Sequence, residues 1–345
     1  MNYINRRQFI QYSSLAISTS ILTSCATSNN SNSTAKNNKN LDKVTYGTNW
    51  YAQGEHGGFY QGIATGIYED YGLDVTIKMG NAQVNGTQLL VGGAIDFYMG
   101  LSIEAISAVE AGIPTITVAA IFQKDPQVLI AHPEVGNDSL EQLKGKPILT
   151  SSLPGKPFWE FLKSKYGYTD DQRRPYNYSV APFLLDKNSI QQGYLTSEPF
   201  TIEKKGGFKP VVMLLADAGY KPYATTIATT TKMVDKNPDL VQRFVDASIK
   251  GWYSYLDNPE PANKLIKKDN PEMTDELLAY SLEKMKEYGI ITSGDAVTKG
   301  IGAMTNERWK SFFDTVVEAG VIKPGTNYKE AFTLQFVNQG VEAYN

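Results

Sequence analysis

Apolar positions along the chain switch repeatedly between helical and alternating spacing, and the switches mark the expected elements. Val44 to Thr48 is a short strand, broken by Asn49-Trp50 and the glycine loop of residues 54–58. Phe59 to Tyr68 has helical spacing, with a stop at Gly72, and Leu73-Asp74-Val75-Thr76-Ile77 alternates as a second strand. Asn85 to Val91 is a helix, Ala94 to Met99 a strand, Ser102 to Glu110 a helix ended by Gly112-Ile113-Pro114, and Thr115 to Phe122 a buried strand. This βαβα order predicts an α/β lobe with a mostly parallel sheet.

From Val128 the pattern restarts. Val128 to Ala131 and Ile148-Leu149-Thr150 read as strands, and Ser139 with Gln142 three positions later forms a capping box. Pro157 to Lys165 is a helix and Val211 to Leu215 another strand. After Ile227 the chain is helix-rich: Asp235 to Leu256, Thr274 to Tyr288 and Thr305 to Ala319 all carry the 3.6-residue period. No internal repeat is evident.

The first 40 residues follow a different logic. Arg6-Arg7 precedes a mildly apolar run that ends in Leu22-Thr23-Ser24-Cys25, the layout of an export signal rather than of a core helix. The arginine pair resembles a twin-arginine signal, and Leu22 to Cys25 resembles a bacterial lipobox whose cysteine takes the lipid. Residues 1–25 are therefore expected to be an export signal with Cys25 as the lipid attachment point. Residues 26–40, almost all Ser, Thr, Asn, Ala and Lys, are expected to be a flexible tether, because they offer too little apolar surface to offset ordering. The expected location is periplasmic or cell-surface, held to the membrane by lipid.

Composition narrows the function. The 345 residues carry a formal charge of −3, and removal of residues 1–24 leaves 31 basic against 36 acidic side chains. A nucleic-acid binder would show a basic excess, so no nucleic-acid partner is expected. The best apolar run, Leu101 to Ile121, is interrupted by Glu104, Glu110 and Pro114, and no spanning helix is expected. One cysteine and two histidines supply neither a zinc cluster nor a disulfide framework, so no metal and no cofactor are expected. There is no G-x-S-x-G elbow and no H-E-x-x-H, and Gly155-Lys156 is followed by Pro157, with no Gly at the position a phosphate loop needs. His132-Pro133 reads as a turn histidine. No catalytic residue can be named, and the chain reads as a non-enzyme.

Polar and aromatic residues do recur where strands should end, the edge at which open α/β sheets hold ligands. The candidate ligand-binding residues are Asn49, Trp50, Glu55, His56, Gly57, Gln83, Asn85 and Gln123 in the first half, and Ser151, Trp159, Glu198 and Tyr223 in the second. Trp50 offers a stacking platform, and Gln83, Asn85 and Gln123 offer amides. Free N–H groups near Gly57-Gly58 and Gly86 offer an anion site. Taken singly, Trp159 and Phe59 fit a core and Gln123 a solvated turn.

Several of these residues carry a family resemblance. Asn49-Trp50, the run from Gly66-Ile67-Tyr68 to Leu73-Asp74-Val75, Gln88 to Gly93 before Asp96-Phe97, and Ser139-Leu140 to Leu143-Lys144-Gly145-Lys146 resemble type 2 periplasmic solute-binding proteins of ABC importers. Met233 to Leu256 is similar to the helix after the second crossover in that family. The similar branch holds nitrate, taurine and sulfonate binders and binders of thiamine-pyrimidine precursors. The resemblance implies an α/β fold of two lobes, each with a mostly parallel sheet flanked by helices. Lobe 1 would comprise residues 41–129 and 226–345, and lobe 2 residues 130–225, with hinge crossovers near Leu129 and Thr225. It also implies a small-molecule ligand, a membrane permease as partner, and a monomer.

Asn-Trp after the first strand with a histidine in the next loop resembles the pyrimidine-handling members, which favours a pyrimidine-like or other heteroaromatic ligand. A small oxyanion such as a sulfonate or nitrate is the alternative. A related pyrimidine synthase consumes its own histidine, to which His56 could correspond. That enzyme carries a cysteine-rich motif, and every cysteine of it is missing from the mature body.

Overall fold

The computed structural model describes residues 41–151 and 157–344; the signal with Cys25 and the tether fall outside the described residues. In chain order the strands are β1 (Asp42–Gly47), β2 (Leu73–Lys78), β3 (Phe97–Gly100), β4 (Thr115–Phe122), β5 (Gln127–Ala131), β6 (Ile148–Thr150), β7 (Arg173–Pro175), β8 (Ile190–Tyr194), β9 (Val211–Leu214) and β10 (Ala224–Thr230). They form two five-stranded sheets, ordered β2-β1-β3-β10-β4 and β7-β6-β8-β5-β9. In each sheet four strands run the same way and one runs against them. The reversed strand is β10 in the first sheet and β5 in the second. Each is the strand entered just after the chain passes from one sheet to the other. The expected mostly parallel sheets are present, and the two lobes are built around them.

The passages between sheets run through residues 123–126 and 215–223. Leu129 and Thr225, the expected crossing points, lie inside β5 and β10. Both passages are tied down by backbone bonds. Gln123 N donates to Ile290 O at 2.7 Å, Leu195 N to Pro126 O at 2.8 Å and Leu215 N to Gln127 O at 3.0 Å.

The helix Pro238–Asp257 packs its apolar stripe on the first sheet, with Phe244 stacked on Phe97 at 4.1 Å and on Tyr68 at 5.6 Å between ring centroids. Two expected single helices are split. Phe59 to Tyr68 becomes Gly57–Ala64 and Ile67–Asp70, because Gly66 adopts φ 77°, where a glycine has no steric cost. Asp235 to Leu256 becomes Thr231–Lys236 and Pro238–Asp257, because Pro238 has no N–H with which to continue the first helix. In the second lobe His132 is no turn residue. It is buried at the end of β5, stacked on Phe183 at 4.3 Å and Phe208 at 4.7 Å, with Nε2 on Phe183 O at 2.8 Å.

Candidate functional site

The two lobes meet where the ends of β1, β6, β7 and β8 converge. On the first lobe the turn after β1 is fixed by Thr48, whose hydroxyl donates to Trp50 O at 2.8 Å and accepts from Gly80 N at 3.0 Å. A Cβ on Gly80 would lie 2.1 Å from Thr48 O, so only glycine lets the two loops close up. The next segment, Gly54–His56, is a 3-10 turn leading into helix Gly57–Ala64. Cβ atoms on Gly57 and Gly58 would lie 2.2 Å from the rings of Tyr255 and Trp252, so the helix start is pressed onto helix Pro238–Asp257. The two residues before it, Glu55 and His56, are 2% and 0% exposed.

On the second lobe, Tyr176 and Tyr178 follow β7, and Thr196 and Glu198 follow β8. Tyr194 N donates to Glu198 Oε2 at 2.8 Å, the Tyr176 hydroxyl donates to Glu198 Oε1 at 3.3 Å, and Gln191 Nε2 donates to the Tyr176 oxygen at 3.2 Å. Ser151 N donates to Gln192 Oε1 at 3.1 Å, and the Ser151 side chain lies beside the Tyr178 hydroxyl. Tyr178 stands in the left-handed region with φ 64°, an uncommon conformation for a bulky residue, and is 45% exposed.

Two contacts join these halves. The rings of Trp50 and Tyr178 lie 4.8 Å apart and tilted by 56°, extending into a row with Tyr51 at 5.7 Å and Tyr176 at 5.3 Å. Beside them the Thr196 hydroxyl donates to Glu55 Oε1. Farther out, helix Glu198–Gly206 meets helix Asp275–Glu287 through Phe200 on Tyr280 at 5.3 Å and Lys204 on Glu276 at 2.8 Å.

The electrostatics of this seam are acidic and dry. Burial pushes the Glu55 carboxyl up to about 7, the Thr196 bond opposing and the Glu198 carboxylate adding. Burial also raises Glu198, against the bonds from Tyr194 N and the Tyr176 hydroxyl. Asp125, in the first passage between lobes, is pushed up to about 6 by burial despite its bonds with Gln127 N and Tyr194. His56 is driven down to about 3 by burial and is neutral, with no hydrogen-bond partner at either ring nitrogen. Among the described residues no Lys or Arg is paired with Glu55, Asp125 or Glu198.

Of the sequence candidates, Trp50, Glu55, Ser151 and Glu198 come together at this seam; Asn49 adjoins Trp50, and His56 and Gly57 adjoin Glu55. Three others are braces. Gln123 is no solvated turn: it is fully buried, and its Nε2 donates to Ala120 O at 3.0 Å and Ala303 O at 2.9 Å. Tyr223 donates to Asp295 Oδ2 at 2.6 Å and accepts from Thr305 N at 3.0 Å, with the Arg308 guanidinium 4.6 Å over its ring. Trp159 is buried in the second lobe, its Nε1 donating to Asp170 Oδ1 at 2.9 Å. Gln83 is exposed, and Asn85 caps helix Gly86–Val91 by accepting from Gln88 N at 3.0 Å. Asn85 also lines a groove of about 970 Å³ between that helix and helix Ser102–Glu110, with Val91, Leu101 and Ile113 on its walls. The sequence does not single out Tyr176 and Tyr178, because Arg173-Arg174-Pro175 does not read as a strand with a marked end.

Two sheets joined by two passages, with aromatic and acidic groups at the seam, define a two-lobed ligand-binding architecture. The chain belongs to the NMT1/THI5 like family, which matches residues 53–262. It is similar to the riboflavin-binding protein RibY of Chloroflexus aurantiacus, with 24% identity over 308 residues covering 87% of each chain. It is also similar to a formylaminopyrimidine-binding protein of Halalkalibacterium halodurans, with 24% identity over 289 residues covering 79% of this chain and 85% of that one. Among solved structures, the periplasmic aliphatic sulphonate binding protein SsuA of Escherichia coli superposes with a TM-score of 0.63 at 12% identity, over 84% of this chain and 91% of that one. That likeness identifies the fold as the two-lobed periplasmic-binding-protein type. Among the described residues no helix is long and apolar enough to cross a membrane.

Proposed function

We propose that this protein is the substrate-binding component of an ABC importer and captures a small planar heteroaromatic ligand, of the pyrimidine class, between its lobes. The lobes are β1–β4 with β10 and the C-terminal helices on one side, and β5–β9 on the other. Residues 123–126 and 215–223 act as the hinge between them. The reading rests above all on Trp50 and Tyr178, which face one another from opposite lobes at 4.8 Å beside the buried Glu55 and the half-buried Glu198. Ring faces from both lobes favour a flat ligand, and carboxylates beside them favour N–H donors over anions. The two relatives named for riboflavin and formylaminopyrimidine support the same choice. Export by the signal of residues 1–25, lipid attachment at Cys25, delivery to a membrane permease as a monomer, and the absence of catalysis belong to the same proposal.

A thermal-shift screen with pyrimidines, riboflavin, alkanesulfonates and nitrate tests it. A ligand at 100 times its dissociation constant stabilises the folded state by about 2.7 kcal/mol. Trp50→Ala should weaken the responding heterocycle by about 1–3 kcal/mol through lost burial and ring contact. Sulfonate or nitrate as the sole responder, undiminished in Trp50→Ala, would replace this reading with the oxyanion one.

A further inference from the structure

We propose that closure of the two lobes is coupled to protonation of Glu55, with Thr196 of the opposite lobe as the group that holds it. The inference rests on the two-lobe reading above, but it does not depend on the identity of the ligand.

Glu55 and Thr196 are 141 positions apart and belong to different lobes, and their bond exists only while the lobes are together. Apart, Glu55 loses the Thr196 hydroxyl, the Tyr194 phenol and the Glu198 carboxylate, the groups that the second lobe brings against it. Together, it is 2% exposed and faces a closed set of groups. Thr196 approaches from the loop after β8, and the Glu198 carboxylate from the start of the following helix. The phenols of Tyr194 and Tyr255 flank it from β8 and from helix Pro238–Asp257. Ser281 of helix Asp275–Glu287 lies against neighbouring Gly54, and the neutral His56 is the next residue in the chain. None of these is a cation. Closing with both acids ionised therefore brings two like charges together, one of them buried, while closing with Glu55 protonated removes that repulsion. The hydroxyl of Thr196 has both a proton and lone pairs, so its bond to Glu55 survives protonation. The free-energy difference between the two closed forms is the coupling, and linkage requires closure to take up a proton.

The test uses the full chain with Cys25→Ser, leaving no native cysteine, and a fluorescence-transfer pair on Glu69→Cys and Lys187→Cys, one on each lobe. With no compound added, the mean distance should shorten as pH falls from about 8.5 to about 5.5. Glu55→Gln should keep the short distance across that range; any remaining slope belongs to Asp125 and should vanish on adding Asp125→Asn. Glu198→Gln, which removes the facing charge, should move the transition to lower pH and provides a second reading should Glu55→Gln fail to fold. A distance that does not change with pH, or a transition unmoved by both Glu55→Gln and Glu198→Gln, would overturn the proposal. A ligand response in the thermal screen with a flat distance profile would sink the coupling alone, and a pH-dependent distance with no responding compound would leave the coupling standing without the ligand assignment.

Discussion

Replacing Gln123 with Ala separates a ligand-binding amide from a structural one, because the two roles predict different losses. The side chain is fully buried and donates two hydrogen bonds, to Ala120 O at 3.0 Å and to Ala303 O at 2.9 Å. Each such bond contributes about 1 kcal/mol net, and a buried carbonyl left without its donor costs about 1–3 kcal/mol. Ala120 lies in β4, paired to Thr226 of β10, so its carbonyl sits in an existing ladder; Ala303 lies outside the strands and stands to lose more. The expected destabilisation is about 3 kcal/mol, which for a chain of this size lowers the melting temperature by about 6 °C. Gln123 also anchors the first passage between lobes through Arg308, which donates to its carbonyl, but that bond uses the backbone and survives the substitution. The assay is thermal and urea unfolding of wild type and Gln123→Ala, paired with binding of whichever compound responds in the screen. A variant that melts within about 1 °C of wild type yet loses binding would show that the amide serves the ligand and that the buried bonds contribute little.

Gly58→Ala should cost about 1–3 kcal/mol by overpacking, since its Cβ would lie 2.2 Å from the Trp252 ring; a wild-type melting curve would show that this helix start shifts freely. Glu55 is raised to about 7, so its contribution to stability is present in full below about 4.5 and is lost as pH rises through about 7, a span worth about 3 kcal/mol. Urea unfolding of Glu55→Gln should lose that slope, and an unchanged slope would place it elsewhere. His56, lowered to about 3, works in the opposite sense: its contribution is present above about 6.5 and fades as pH falls toward 3, so His56→Gln should blunt acid unfolding, and equal acid sensitivity would refute this. Cys25→Ser should move the exported protein from the detergent phase to the aqueous phase, and wild type recovered wholly from the cytoplasm would end the anchor proposal.

The elements legible in the sequence are those whose burial pattern matches a simple period. β4 is apolar along nearly its whole length and has the bounds its sequence predicts, as does helix Ser102–Glu110. β10 escapes such a period although it lies inside the first sheet, between β3 and β4. It reads Ala-Thr-Thr-Ile-Ala-Thr-Thr, so threonines stand where a period would need apolar residues; Thr225, Thr226 and Thr229 are buried all the same, and Thr229 donates to Asp96 O at 2.8 Å. β8 reads Ile-Gln-Gln-Gly-Tyr for a similar reason: Gln191 and Gln192 are spent on Tyr176 and Ser151. A strand that carries polar groups toward the seam cannot also show apolar alternation. The elements hardest to read were therefore among those that build the site.

The same physics explains which site residues could be picked out. Trp50, Glu55 and Glu198 follow strand ends or open helices, so a search at strand termini reaches them. Trp159, Gln123 and Tyr223 satisfy the same local criteria, and nothing in one dimension distinguishes a polar aromatic that faces a cleft from one whose N–H or O–H is consumed inside. What separates them is the partner: Asp170 for Trp159, Ala303 for Gln123 and Asp295 for Tyr223, respectively 11, 180 and 72 positions away along the chain. Glu55 differs because its partner comes from the other lobe. A buried acid whose hydrogen bond spans a moving seam acts when the lobes meet, whereas a buried amide whose bonds stay within one lobe stabilises that lobe in every state. The distinction makes Gln123→Ala a stability variant and Glu55→Gln a closure variant, and the two assays assign each residue by which quantity moves.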